Sequence, residues 1–285
     1  MATLKTIRKR ISAVKSIEKL TRAMKMVAAA RLFKAQRRVI EARTFSAETE
    51  RILNNILKRG AEVSDPLLQP HETKAAIDLV VFTSDKGLCG TFNESLLKKV
   101  AGFMAEKDGA NVSLFVIGKK GVSFFNRKKI RVMSEFTMVQ DGELQTVLTN
   151  TMDSLIERYL SGESDEAVLA YNSFEGIGRF KPTFKTLLPI SLSGAEREYG
   201  VDYIYEPEVN GVAQWLIRKR LTSSFYLASL ESQASELTAR MVAMENATKN
   251  ANDLIQVLTT KYNRARQYAI TRELIDIIGG VEALK

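Results

Sequence analysis

Cysteine, histidine and proline are scarce: 285 residues hold one cysteine, one histidine and five prolines. The lone Cys89 excludes an internal disulfide and a cysteine-rich zinc site. The lone His71, in the loop-like "QPHETK", cannot complete a metal cluster and reads as a solvated side chain, and beyond it no Ser/His/Asp set is possible. No catalytic residue, metal or cofactor is therefore expected. No run of about 18 uncharged apolar residues exists, so no helix is expected to span a bilayer. Acid is scarce at one end: residues 1–60 hold 4 Asp/Glu against 16 Lys/Arg, whereas the rest holds 29 against 26. Such a field steers the N-terminal segment toward something anionic, be it nucleic acid, an acidic membrane surface or an acidic protein wall, unless it is simply a solvated face. Aromatics are scarce there too. Phe33 and Phe45 are the only ones in the first 60 residues, which leaves little to stack on bases and counts against the alternative of a basic coiled-coil nucleic-acid-binding protein.

What is present is 45% hydrophobic and 26% charged, enough for one or two globular units with a core. The start "MATLKTIRKRI" has no apolar h-region or small-residue cleavage site and reads as a mature cytosolic start, with an Arg-rich transit peptide as the rival.

Neither Pro nor Gly occurs in residues 4–57, and apolar or small residues recur at Ile7, Ile11, Val14, Ile17, Thr21, Met24, Ala28, Ala35, Val39, Ala42 and Ile56, in steps of three and four that slip in places. That predicts one helix of roughly 80 Å, stopped by Gly60 as C-cap with Pro66 beyond it. The other end mirrors it over residues 212–278. Leu227, Leu230, Ala234, Leu237, Met241, Met244, Thr248, Ala251, Ile255, Leu258, Tyr262 and Ala265 form a heptad seam. A stripe of roughly 100 Å cannot be buried against a compact domain, so the two chain ends are expected to pair as an antiparallel coiled coil, the alternative being self-dimerisation of each helix.

Between them the pattern changes to α/β. Strands are expected at "AAIDLVVFTSD", "VSLFVIG", "EAVLAYNSF" and "FKPTFKTLLPI", the last an edge strand because of Pro182. Helices are expected at "ESLLKKVAGFMAEK", "KKGVSFFNRK" and, started by Asp141, "ELQTVLTNTMDSLIERYLSG". The fold class is thus α/β plus coiled coil: a Rossmann-like sheet domain, 61–207, inserted between long helices at 1–60 and 208–285. The loop Gly87-Leu88-Cys89-Gly90 follows a strand and precedes a helix, where phosphate loops sit, but neither it nor "GKKG" at 118–121 has the required spacing. A tight turn with a buried thiol is the expectation.

"KSIEKLTRAMKMVAAARLFKAQ", "SDKGLCGTFN", "YEPE", "SELTARMVAMENATKNAND" and "YNRARQYAITRELIDIIGG", in that order across essentially the whole chain, resemble the gamma subunits of F-type ATP synthases. The resemblance implies a non-catalytic rotor shaft of a rotary ATP synthase, with the alpha and beta subunits, the epsilon subunit and the c-subunit ring as partners and no nucleic acid. It implies a peripheral place on the cytoplasmic face of the bacterial inner membrane rather than in a mitochondrial matrix. By the same resemblance, Met24 and Lys25, with Arg266, Gln267 and Thr271, form the contact with beta; Tyr205, Glu206 and Glu208 lie in the foot that meets epsilon and the c ring. "LIDIIGGVEALK" is expected in an apolar bearing. The chloroplast cysteine pair is missing, so thiol switching is not expected.

Overall fold

The computed structural model describes residues 4–58, 63, 65–71, 75–107, 110–138, 142–190, 205, 206 and 208–282, without the side chains of 58 and 279–282. Gly60 and Asp141, the expected cap residues, lie outside the described residues. The chain falls into two compact units: Met1–Ala29 with Arg240–Lys285, and Ala30–Ala239. Two helices dominate it, α1 over Leu4–Lys58 and α5 over Val209–Glu282.

In the larger unit a five-stranded sheet is built from β1 (Ala76–Phe82), β2 (Asn111–Ile117), β3 (Val132–Phe136), β4 (Glu166–Gly176) and β5 (Arg179–Leu188) in the order β3-β2-β1-β4-β5. The first four strands are parallel, and β5 returns antiparallel along β4. β1 is buried at nearly every residue because both sheet faces are covered, which is why it reads as a continuous apolar run rather than an alternation. On one face Leu79, Val81, Leu114, Val116 and Val168 pack under α2 (Phe92–Glu106) and α3 (Lys119–Arg127). On the other, Val80, Phe82, Phe115, Leu169 and Tyr171 meet α4 (Leu144–Leu160), Leu53 and Ile56 of α1, and Leu216, Ile217, Leu221 and Phe225 of α5. Pro182 lies on β5, an edge strand, opposite Asn172, as its missing N–H requires. β3 was not expected from the sequence; it is short, half-exposed and at the other edge, so it carries no apolar run.

In the smaller unit the start of α1 and the last part of α5 pair antiparallel. The hydroxyls of Thr21 and Thr248 are 2.8 Å apart, Lys25 Nζ donates to Glu245 Oε1 at 2.7 Å, and Ala28, Met244 and Ala251 are buried. Within the larger unit the same antiparallel order holds, Arg43 pairing with Glu231 and Glu50 with Arg220.

The seam of α1 corrects the sequence pattern. Ile17 is exposed and Glu18 is buried in its place. Positions 7, 11, 14, 18, 21, 25, 28, 32, 35, 39, 42, 46, 49, 53 and 56 are all buried or half-buried, an unbroken alternation of four and three. The slips came from following apolar residues where the chain places Glu18 and Lys25. Their aliphatic stems fill the seam while the heads find partners, Arg22 for Glu18 and Glu245 for Lys25. The seam of α5 is buried or half-buried at every expected position, though the helix starts at Val209 and passes through Gly279 and Gly280.

Candidate functional site

Among the described residues no group of three or more His, Cys, Asp or Glu could hold a metal, and no helix is long and apolar enough to cross a membrane. The places to examine are the helix surfaces and the loops above the sheet.

Lys25 is a half-buried seam position level with Glu245, and Met24 is half-buried beside it. Arg266, Gln267 and Thr271 are exposed, and the Thr271 hydroxyl donates to the Gln267 carbonyl at 2.9 Å. They are not brought together with Met24 and Lys25: at 1.5 Å per residue they stand about 30 Å further along α5. Past Ala251 no described side chain of α5 is buried, and Tyr268, Ile270, Leu274, Ile275, Ile277 and Ile278 present a large apolar surface. So much exposed aliphatic area on one helix end calls for a covering partner. In the larger unit Tyr205 packs against the core beneath α5, while Glu206 and Glu208 are exposed and the Glu208 carbonyl accepts the Val212 N–H that opens the helix.

The loop at 87–90 is a turn held from within. Asn93 Oδ1 accepts the Ser84 N–H at 3.0 Å, its Nδ2 donates to Ser84 Oγ at 2.8 Å, and Cys89 is buried with Sγ 3.2 Å from that same nitrogen. The glycines of "GKKG" are packing glycines. A Cβ on Gly118, at φ 106°, would lie 2.2 Å from the Thr83 carbonyl oxygen, and one on Gly121 2.7 Å from Val116. A sheet of this order binds ligands at the crevice where strand order reverses, here above β1 and β4. That crevice is filled by the chain itself: Cys89 and Phe92 close on Ala239 of α5 and on Phe180. Ser235 donates to the Asn172 carbonyl at 2.9 Å from the same helix.

His71 is not the solvated side chain expected. Its ring stacks on Tyr159 at 4.4 Å, and Nδ1 is 3.2 Å from Asp165 Oδ1, whose carboxylate also accepts the Ala75 and Ala76 N–H groups. The histidine fastens the end of the preceding loop to the sheet.

Three buried or half-buried titratable groups shape the electrostatics. Burial raises the Asp78 carboxyl above the usual range, against the pull of the Arg158 guanidinium that grips both its oxygens. Burial, then Glu231, pushes Tyr171 up to about 12. Lys185 is held below its ordinary value by burial, with Glu50 opposing the shift and Arg220 adding to it. An open groove of 680 Å³ between α1, α4 and α5 is lined by Arg38, Glu41, Met152 and Tyr226 among others, with Lys219 Nζ 5.5 Å from the Phe45 ring centre. The cluster of Arg43, Asn172, Glu231, Ser235 and Thr238 was missed from sequence. Its one trace in the sequence is the run of small residues Ala228, Ser229, Ser232, Ala234 and Ser235, wider than a seam requires, and the structure buries all of them.

The sequence matches the family described as ATP synthase over residues 3–284. It is 41% identical over 289 residues to the ATP synthase gamma chain of Geotalea daltonii, covering 100% of both chains. To that of Prosthecochloris aestuarii it is 39% identical over 293 residues, covering 100% of this chain and 99% of the relative. Among solved structures, a chain from the central stalk and c-ring of the Tetrahymena thermophila mitochondrial ATP synthase matches with a TM-score of 0.60 and 26% identity, covering 80% of this chain and 99% of that one. A chain from the Euglena gracilis mitochondrial ATP synthase, in its OSCP/F1/c-ring assembly, has a TM-score of 0.65 at 18% identity and covers 99% and 94%; it shows the fold.

Proposed function

Because this chain belongs to the family of ATP synthase gamma chains, we propose that it is the central rotor shaft of a rotary ATP synthase, carrying the rotation of a c-subunit ring to catalytic sites on beta subunits. The observation that carries this role is the antiparallel pairing of two helices without internal breaks, α1 and α5, whose outer faces keep large apolar residues in water. Its partners are the alpha and beta subunits, the epsilon subunit and the c ring. The chain is a non-catalytic subunit. The filled crevice and the self-bonded turn at 87–90 support that, since both occupy the positions a nucleotide would need. Titration of the isolated chain with ATP should give no heat of stoichiometric binding; saturable micromolar binding would overturn it. The subunit is peripheral, held through the complex on the cytoplasmic face of a bacterial inner membrane.

Segments 1–60 and 208–285 act as the shaft, and 61–207 as the domain on the ring side. Met24, Lys25, Arg266, Gln267 and Thr271 are the contacts with beta, in two stations along the helices, and Tyr205, Glu206 and Glu208 the foot against epsilon and the c ring. An asymmetric shaft touches each beta subunit differently. Turning it changes which beta conformation has the better contacts, and such differential contact is what biases a two-state element. The exposed cations of α1 suit acidic surfaces on that sleeve. The test is reconstitution with alpha and beta subunits and a bead fixed to exposed Met133. ATP-driven unidirectional rotation is expected; an active alpha–beta complex in which the chain neither assembles nor turns would sink the assignment.

A further inference from the structure

We propose that the β4–β5 hairpin is a torque clamp on the two long helices and that Arg43 is its pin, a positioning residue that keeps the α/β domain from slipping around the shaft. The inference rests on the rotor function above and deepens it.

A shaft that carries torque from a side domain needs more than apolar packing between the two. Apolar contact is non-directional, so one aliphatic ridge slides over another with little resistance as long as area stays buried. Hydrogen bonds are directional and weaken steeply off axis. They therefore resist sliding. The hairpin end, from Asn172 to Arg179, gathers such bonds from both helices. Arg43 of α1 donates through Nε to Glu231 Oε1 of α5 at 2.7 Å and through Nη2 to the Phe174 carbonyl of β4, so one guanidinium ties three elements. Ser235 Oγ donates to the Asn172 carbonyl at 2.9 Å, and the Gly178 N–H donates to Thr238 Oγ1 at 2.7 Å. Ser235, Thr238 and Glu231 lie three and four residues apart on one face of α5. On the hairpin side every partner is a backbone group, the Asn172 and Phe174 carbonyls and the Gly178 N–H, held by a strand pair fixed in the sheet by its own ladder. Burial strengthens the inner end of the set: Asn172, Ser235 and Thr238 are fully buried and the Glu231 side chain is 6% exposed, while the Arg43 side chain, 44% exposed, reaches in from the surface onto these shielded acceptors.

The location fits the load. The clamp sits where a sheet of this order would hold a ligand, and α5 stands in the ligand's place. The chain has turned a binding crevice into a socket for its own helix. Further along the same helices, Glu50 with Arg220 and Lys185 with Ser224 continue the directional contacts toward the start of α5.

The experiment measures torsional stiffness from the angular fluctuations of a bead on Met133, with the upper shaft held in an alpha–beta ring locked by a non-hydrolysable nucleotide. Arg43→Leu with Glu231→Leu removes the pin but keeps apolar volume, a replacement that often leaves stability unchanged. The angular variance is expected to rise about one-and-a-half-fold, because one of the three bonds between hairpin and helices is lost together with the tie between the helices. Unloaded ATP hydrolysis by the complex should stay at the wild-type rate, while ATP-driven ion pumping against a gradient falls. Arg43→Lys keeps a cation beside Glu231 and loses the fork, so it serves where the double variant does not fold; an intermediate variance is expected. Wild-type variance in a folded, assembled variant of either kind overturns the clamp. Failure of the wild-type chain to rotate would instead overturn the rotor function and leave a stiffness difference still measurable on the assembled complex.

Discussion

At the scale of the residue, the largest electrostatic liability is Asp78, 1% exposed in the middle of β1 and gripped by Arg158 at 2.9 and 3.1 Å. Desolvation already outweighs that grip. Arg158→Met should therefore cost about 3–5 kcal/mol at neutral pH, since it strands a buried carboxylate. The loss should shrink in acid, where Asp78 is protonated; denaturant melts at two pH values read both, and an equal loss at each would contradict it. Lys185 works in the opposite direction. Its folded pKa is depressed, so the folded state binds fewer protons than the unfolded state in the window below 10.5, and stability rises with pH there. Lys185→Met should stabilise at pH 7 by about 1 kcal/mol, discounted because the side chain keeps contact with water, and the advantage should vanish as pH approaches 10.5. A melting point unchanged at pH 7 would show that the ammonium is adequately solvated. His71 shows why single residues are hard to read in a sequence. Its stacking partner Tyr159 and its carboxylate Asp165 arrive from some 90 positions away, and a histidine among polar loop residues carries no local trace of either.

At the scale of the element, the two long helices were legible because a seam needs only its own period, and no Pro or Gly interrupts residues 4–57 or 212–278. β1 and β4 were legible as apolar runs for the same local reason. β3 was not, because an edge strand of five residues among lysines needs only its neighbour's backbone. The positions of Glu18 and Lys25 in the seam were hidden by their charge. The residues proposed to contact beta were readable only through resemblance, since nothing local distinguishes Arg266 or Gln267 from any other solvated helix face. If these two bond to beta in one rotary state and release in the next, each charge-assisted bond is worth about 1.5–3 kcal/mol. Arg266→Ala with Gln267→Leu should then assemble normally and lower turnover and ATP-driven pumping by about tenfold to a hundredfold. Wild-type turnover in the assembled variant would mark this station as passive surface.

At the scale of the whole molecule, protection should be uneven. The sheet has both faces covered, whereas α5 beyond Ala251 has only half-buried seam residues and a wet apolar outer face. Hydrogen exchange on the isolated chain should therefore be slow in β1, β2 and β4 and fast around Leu258, and should slow there once alpha and beta enclose it. Equal protection in the free chain would refute this. The unbroken seven-residue period of the α1 seam has a last consequence. A period of 3.5 residues per turn on a helix of 3.6 obliges paired helices to wind left-handed about each other. Two such strands have the lay of a rope. Within either unit, a couple applied with the lay draws the strands together and presses the seam, while one against it opens them. The pair is thus stiffer to twist in one sense than in the other, so forward and reverse driving meet different compliance in the same molecule.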